Sequence, residues 1–551
     1  MTASEHDNSS ADFAALARAN QERLAAEWNT RDYDFIVCGA GTSGSVLARR
    51  LAENPSVRVL LLEAGGPDDD PAIRIPDLWP TNLGSERDWA FQSEPNPCVN
   101  GRALTFSMGK ALGGGSAINV MLWARGHKAD WDFVASEAGD PAWGYESVLD
   151  IYRAVENWHG KPDPRYRGTA GPVFVAPAPD PHPLAHAVVE AAGSLAVPTF
   201  ENANGRLMEA TAGASISDLR VRDGTRESVF RSYVYPYLDR PNLTVLTGAV
   251  VRRVVFDGPV ATGVEVAYGA AVHRVAAQAE VILSMGAVNT PRVLMVSGVG
   301  NEPDLVRVGI PVVAHLPGVG ANFQDHVGVD CVWRFRDVPP PNARSEAVVY
   351  WQHETGACSP ELFAYLGTFP HASSENAARF GLPDDSWVLF GGVSHPQSRG
   401  RVRLTGADPT DPVRIEANTL CENADVQGAV ACVEFLREVG NSASVRPFVK
   451  VEVMPGALAG AELQHYVRDA ALSYWHGVGT ARIGRDSMAV VDSGLKVYGI
   501  DHLRIADASV LPRLPTSNTM ASCVAIGERA AALIAAEQGL SASLTSAENE
   551  N

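Results

Sequence analysis

Between Tyr33 and Gly66 the sequence YDFIVCGAGTSGSVLARRLAENPSVRVLLLEAGG strings together structural signals in an order that few folds accommodate. Tyr33, Phe35, Ile36 and Val37 are β-favouring and nearly continuous in apolarity, the pattern of a strand buried on both faces. Gly39, Gly41 and Gly44 follow at G-x-G-x-x-G spacing. The first turns the chain, the second lets a pyrophosphate approach the backbone, and the third lets a helix pack against the strand. That helix runs from Thr42, with Val46, Leu47 and Leu51 on one face, until Asn54-Pro55 stops it. Its N-terminus offers unpaired N–H groups and a positive dipole end to phosphate. Val57–Leu62 reads as the next buried strand, closed by Glu63 and Ala64. A carboxylate at that point accepts hydrogen bonds from both ribose hydroxyls of adenosine and repels a 2′-phosphate. Strand, turn, helix, strand and acid fall within about 30 residues, which is the context a dinucleotide-binding unit requires. The segment alone does not separate FAD from NAD.

The chain has 551 residues, past the size at which one core stops growing, so two domains are expected. Its formal net charge of −19 argues against nucleic acid and anionic membrane surfaces as partners. No apolar run reaches the about 18 residues of a membrane span. MTASEHDNSSADF lacks a basic segment followed by an apolar one, so no cleavable secretion signal is expected. The seven cysteines, at 38, 98, 331, 358, 421, 432 and 523, contain no C-x-x-C pair. They read as reduced structural cysteines of a cytoplasmic enzyme without a metal site.

Asp12–Trp28 reads as an amphipathic helix packed outside the nucleotide unit. Leu243–Leu246, Ala249–Phe256 and Ala261–Tyr268 look like an antiparallel meander, and Glu280–Ser284 like a short buried strand. Asp330–Phe335, Trp387–Val393, Gly400–Leu404 and Leu503–Ala506 read as further strands, and Ala521–Glu537 as an apolar helix. The organisation expected is an N-terminal helical extension (1–31) and a nucleotide domain in three pieces (32–150, 241–329, 476–538). A substrate domain (151–240, 330–475) is interleaved, and a disordered tail (539–551) closes the chain.

Three further segments narrow the class. They are GKALGGGSAINVMLWARGHKADWD from Gly109, GAVNTPRVLMVSGVG from Gly286, and the C-terminal pair SYWHGVGTARIG and DASVLPRLPTSNTMASCVAIGERAA. With the N-terminal fingerprint they resemble the glucose–methanol–choline (GMC) flavin oxidoreductases over roughly residues 32 to 538. The resemblance implies an α/β, Rossmann-like FAD-binding domain joined to an α+β substrate domain floored by an antiparallel sheet. Gly113, Gly114 and Gly115 would let the backbone press against the cofactor, and Asn119 would hydrogen-bond it. Val251 lies where the family's backbone meets adenine, and Asp507 and Ala508 resemble a second phosphate and flavin contact. Asn518 and Thr519 match residues at the flavin's pyrimidine edge, where the following helix points its N-terminus. Some members tether FAD through a histidine at the position of Ile118; here the cofactor is expected to be bound noncovalently, with His127 as an alternative tether.

Alcohol oxidation needs a base for the hydroxyl proton and an acceptor for the carbinol hydride. Histidine suits the first role because its ordinary pKa, about 6.5, lies near working pH. Among 14 histidines, His476 occupies the position of the family's base. Asn518 matches the second active-site position, where it would hold the substrate oxygen, and Trp475 would wall the pocket. His326, in NFQDH, reads as structural. The resemblance implies oxidation of a small-molecule alcohol to an aldehyde or ketone, with electrons passed to oxygen or another acceptor. It is nearest the bacterial aryl-alcohol, hydroxymethylfurfural and choline-type branch. The alternative is a non-redox, FAD-containing hydroxynitrile lyase; that branch tends to carry a second histidine where this chain has Asn518. A fatty-acid photodecarboxylase shares the fold but lacks the catalytic histidine.

Overall fold

The computed structural model describes residues 3–339, 344–353 and 356–540. Two seven-stranded sheets organise them. In the first, Leu243–Leu246, Val59–Leu62, Tyr33–Cys38 and Ala271–Leu283 lie side by side in that order and run parallel. Leu503–Ile505 joins parallel to Ala271–Leu283. All of Val59–Leu62 and all but one residue of Tyr33–Cys38 are buried, as expected of parallel strands covered on both faces. The helix Thr42–Ala52 covers one face through Val46, Leu47 and Leu51. Burying each such side chain contributes about 1.5–3 kcal/mol. The helix Met520–Gln538 packs against it so closely that a Cβ on Gly527 would come 2.8 Å from the Cβ of Val46.

The strand Ala271–Leu283 is thirteen residues long. Its first half pairs antiparallel with Val260–Tyr268, itself paired with Val250–Asp257; its second half enters the parallel sheet at Ala277, opposite Tyr33. The meander therefore consists of these three strands. Leu243–Leu246, expected within it, instead edges the parallel sheet, where its neighbour Val59–Leu62 matches its apolar run. Of Glu280–Ser284, residues 280–283 are the buried end of the long strand, and Ser284 follows it. The N-terminal helix Ala3–Glu27 covers the exposed edge: Gln21 donates to Leu243 O (3.0 Å) and accepts from Val245 N (3.0 Å). Of the tail expected to be disordered, residues 541–551 lie outside the described residues.

The second sheet is antiparallel, ordered Val449–Met454, Val327–Phe335, Ser386–Val393, Leu362–Gly367, Ser345–Trp351 and Gly213–Ile216, with Leu472–Ser473 pairing Val327–Gly328. Gly213–Ile216 comes from the 151–240 segment and the rest from 327 onward. Strand periodicity of two divides its faces. Leu362, Ala364 and Leu366 pack into a core under the helices Pro183–Ser194, Asn423–Gly440 and Gly460–Ala470. Phe363 and Tyr365 point the other way, into an aromatic cluster with Trp79, Tyr350 and Tyr474. Arg401–Leu404 does not join this sheet; it forms a separate hairpin with Val413–Glu416.

Cys98 and Cys421 are joined by a disulfide, with Cα atoms 5.2 Å apart. This corrects the reading of every cysteine as reduced. The two lie 323 residues apart, so no spacing in the sequence marks them as a pair. Cys38, Cys331, Cys358, Cys432 and Cys523 are free. Among the described residues no helix is long and apolar enough to cross a membrane, and no group of side chains could hold a metal ion.

Candidate active site

Four connections leave the carboxyl ends of adjacent parallel strands at one edge: Cys38 to Gly39, Leu62 to Glu63, Leu283 to Ser284 and Ile505 to Asp507. They open into a cavity of about 2100 Å³, counting its open mouth, that runs from this edge to the aromatic face of the second sheet. Ligands of open α/β sheets bind outside such strand ends.

The glycine turn is built by close approach. A Cβ on Gly44 would sit 1.9 Å from Gly39 O, so only glycine lets this helix start against the strand. Gly114, at φ +52°, backs onto Gly41, where a Cβ would come within 2.7 Å of the Gly41 Cα. Gly39, Gly41, Thr42, Gly114 and Gly115 line the cavity, whereas Gly44 and Gly113 do not; those two shape the wall from behind. The helix that begins at Thr42 has no side-chain cap, so its first N–H groups face the cavity without an internal partner. A diphosphate is the fitting occupant of such a cradle.

Glu63 and Ala64 line the same end. The Glu63 carboxylate accepts from Ala40 N (3.0 Å) and Gly65 N (2.9 Å), and burial pushes its pKa up to about 7. Val251 is on the wall. Asp507 and Ala508 are as well, but both Asp507 oxygens are used internally, by Gly286 N, Thr290 Oγ1 and Ser509 N, at 2.9, 2.6 and 2.8 Å. Its side chain thus locks two strand-end loops together. Asn119 Oδ1 accepts from Met121 N and Arg226 Nη1, which fixes the amide on the cavity wall beside Ile118. His127 does not reach the cavity. It caps the helix Lys128–Ala138, its Nδ1 accepting from Ala129 N, so it is out of place as a tether.

At the other end His476, Asn518, Thr519 and Trp475 share the wall. The backbone of Trp475 is left-handed, φ +61°, an uncommon state for a bulky residue that marks a constrained loop. Asp325 constrains it by accepting from His476 N (2.8 Å) and from the Ser473 hydroxyl, while Ser473 Oγ accepts from Trp475 N (2.8 Å).

The protons of the site follow from its geometry. His326 Nε2 lies 2.9 Å from Ser394 O, a carbonyl that only accepts, so this nitrogen carries hydrogen. Burial lowers the His326 pKa to about 3, so the ring is neutral and its Nδ1 is a lone pair. His476 Nδ1, 2.9 Å away, must therefore donate, which leaves His476 Nε2 bare. Asn518 Nδ2 stands 3.1 Å from that lone pair, and Asn518 Oδ1 accepts from Tyr365 OH (2.5 Å), which fixes the amide's orientation. Tyr350 OH lies 3.0 Å from Tyr365 OH and completes the row. Burial, reinforced by His326, holds the His476 pKa well below the usual histidine range, so the ring is neutral at pH 7.

His326 thus does more than the structural duty read from NFQDH: it orients His476. Tyr365, Tyr350 and Asp325 were not singled out by sequence reasoning either. Their partners lie in other segments, so no spacing in the sequence marks them.

The sequence profile described as GMC oxidoreductase matches this chain over residues 33–328 and again over 396–527. The mitochondrial choline dehydrogenase of Homo sapiens is 33% identical over 565 residues, covering 96% of this chain and 92% of its own. Among solved structures, a pyridoxine 4-oxidase from Mesorbium loti superposes with a TM-score of 0.86 at 32% identity, covering 91% of this chain and 99% of its own. A formate oxidase from Aspergillus oryzae, studied for the modification of its FAD, gives 0.83 at 26%, with 92% and 99% covered. With its cavity opening at the glycine turn at one end and holding a neutral histidine at the other, the chain belongs to the GMC oxidoreductases, a family of FAD-binding enzymes that oxidise CH–OH donors.

Proposed function

We propose that this protein oxidises an alcohol to an aldehyde or ketone with noncovalently held FAD and passes the electrons to oxygen or another acceptor. The observation that carries the reading is the bare Nε2 of His476, locked in that tautomer by His326 and facing Asn518 on the cavity wall. When bound, FAD supplies the acceptor for the carbinol hydride.

Gly39, Gly41, Thr42, Gly114 and Gly115 would hold its diphosphate, with Gly44 and Gly113 acting through packing. Glu63 and Ala64 would hold the ribose and Val251 the adenine, while Asn119, Asp507, Ala508 and Thr519 would border the rest. Ile118, on the wall, has no nucleophile to offer, which supports noncovalent binding.

A substrate hydroxyl entering between His476 and Asn518 gives its proton to His476 Nε2 and accepts from Asn518 Nδ2. His326 holds the other side of the ring throughout, and Trp475 walls the pocket. Burial disfavours the imidazolium, so His476 returns to the neutral form between turnovers.

Anaerobic stopped-flow reduction of His476→Ala at saturating alcohol tests this. Loss of a positioned base costs about 10²–10⁴ in rate, roughly 3–5 kcal/mol, with FAD content unchanged. Flavin reduction at the parent rate would move the base elsewhere. Acid or heat should release free FAD; flavin that stays with the denatured chain would overturn noncovalent binding.

A further inference from the structure

The aromatic end of the cavity contains one polar device that the alcohol chemistry leaves unused. His371 lines the wall, with its ring against the edges of Phe390 (4.8 Å between centroids) and Phe369 (6.4 Å). Its Nδ1 lies 2.9 Å from Asp330 Oδ1. Asp330 is 1% exposed, and its other oxygen has no partner, so this carboxylate serves His371 alone. Nδ1 therefore carries hydrogen, and Nε2 has no protein partner among the described residues. A buried carboxylate behind an imidazole orients the ring and supports its protonation.

Three ring contacts connect this dyad to the base. His476 stacks on Tyr474 (5.5 Å), Tyr474 on Phe390 (4.1 Å), and Phe390 meets His371 (4.8 Å). A carbinol at His476 thus places the body of its substrate along this row of aromatic rings, with His371 beyond. Trp79 closes the other side, edge-on to Phe369 and Trp475 at 5.8 and 6.3 Å. Walls of aromatic rings favour an aromatic guest, met by stacking or edge-on. The carboxylates on the cavity wall, Glu63 and Asp507, are both at the nucleotide end and bound by backbone N–H groups. No carboxylate among the described residues lines the substrate end to meet a cation.

Resting on the alcohol-oxidation reading, we propose that His371 and Asp330 form a specificity subsite for a phenolic hydroxyl, so that the substrate is an aromatic alcohol with a ring hydroxyl remote from the carbinol. A phenol satisfies the dyad in either protonation state, donating to a bare Nε2 or, as phenolate, accepting from Nε2–H.

The test uses the FAD-loaded enzyme and two aldehydes that need no oxidation to bind, 4-hydroxybenzaldehyde and 4-methylbenzaldehyde. Both are read by the perturbation of the flavin spectrum. One hydrogen bond at a partly buried site predicts about tenfold tighter binding of the hydroxyl compound. His371→Ala should bring the two dissociation constants within about threefold by weakening the hydroxyl compound alone, and His371→Gln should restore part of the gap. Equal binding by the parent, an unchanged ratio in His371→Ala, or choline binding more tightly than either aromatic would overturn the proposal. If the preference holds but 4-hydroxybenzyl alcohol never reduces the flavin, the subsite stands and the oxidation reading falls.

Discussion

The tautomer lock on His476 makes a quantitative demand on His326, a residue outside the cavity that touches no substrate. In His326→Ala the Nδ1–H of His476 loses its acceptor in a buried setting. Leaving such a donor unsatisfied costs about 1–3 kcal/mol. The ring escapes that cost by moving its proton to Nε2 with the Asn518 amide turned over, so that its Oδ1 accepts from His476 and its Nδ2 donates to Tyr365 OH, and in that tautomer it cannot act as a base. At 1.36 kcal/mol per decade the working tautomer falls roughly 10–100-fold, and flavin reduction falls with it. Substrate affinity should hold, because His326 does not line the cavity. Removing His326 also removes the neighbour that helps depress the His476 pKa, so the acid limb of the rate profile should move to higher pH. His326→Gln tests the logic: its amide oxygen can accept from His476 and its NH₂ donate to Ser394 O. Anaerobic stopped-flow at saturating alcohol, with dissociation constants from the same traces, separates the two effects. An Ala variant with parent rate, or a Gln variant no faster than Ala, would refute the tautomer argument.

Two further expectations follow from shifted groups. Burial keeps His476 neutral, so reduction should stay flat as pH falls from 8 through the ordinary histidine range near about 6.5; a rate that halves at or above that range would contradict the depressed pKa. Glu63, raised to about 7 in this structure, would be drawn to its charged form by ribose hydroxyls, so FAD binding should release protons and tighten as pH rises toward 8. Calorimetry in buffers of different ionisation enthalpy reads this directly; Glu63→Gln should bind FAD more weakly and without the proton release, and a parent with no release would remove Glu63 from the ribose site.

Local order made much of the fold readable. The first strand, glycine turn, helix and second strand are contiguous, and each is specified by nearby residues. Five of the second sheet's seven strands were not read from the sequence; two of them, Ser345–Trp351 and Leu362–Gly367, escaped because both of their faces are buried, one under helices and one in the aromatic cluster, so no polar alternation betrays them. Leu243–Leu246 looked like a neighbour of the meander because it precedes it in sequence, but its partner is Val59–Leu62, far away along the chain. In the candidate site, motif resemblance put His476 and Asn518 forward, and the fold brings the two side chains together on the cavity wall. The orienting contacts of His326, Asp325, Tyr365 and the His371–Asp330 dyad were not, since each joins segments from different strands or loops and no spacing encodes it.

The bond between Cys98 and Cys421 turns the intervening chain into a covalent ring that contains most strands of both sheets. The glycine turn and Glu63 lie on one tail outside the ring, and His476 and Asn518 on the other, while His326 sits within it. A single backbone cut anywhere in the ring therefore leaves one connected molecule. A cut within the ring would break the covalent path between the glycine turn and His476 only after reduction, whereas a cut between Glu63 and Cys98 or between Cys421 and His476 would break it directly. Under oxidising conditions the site is thus held together by connectivity as well as by packing, and the loops between residues 98 and 421 are free to be nicked without dismantling it.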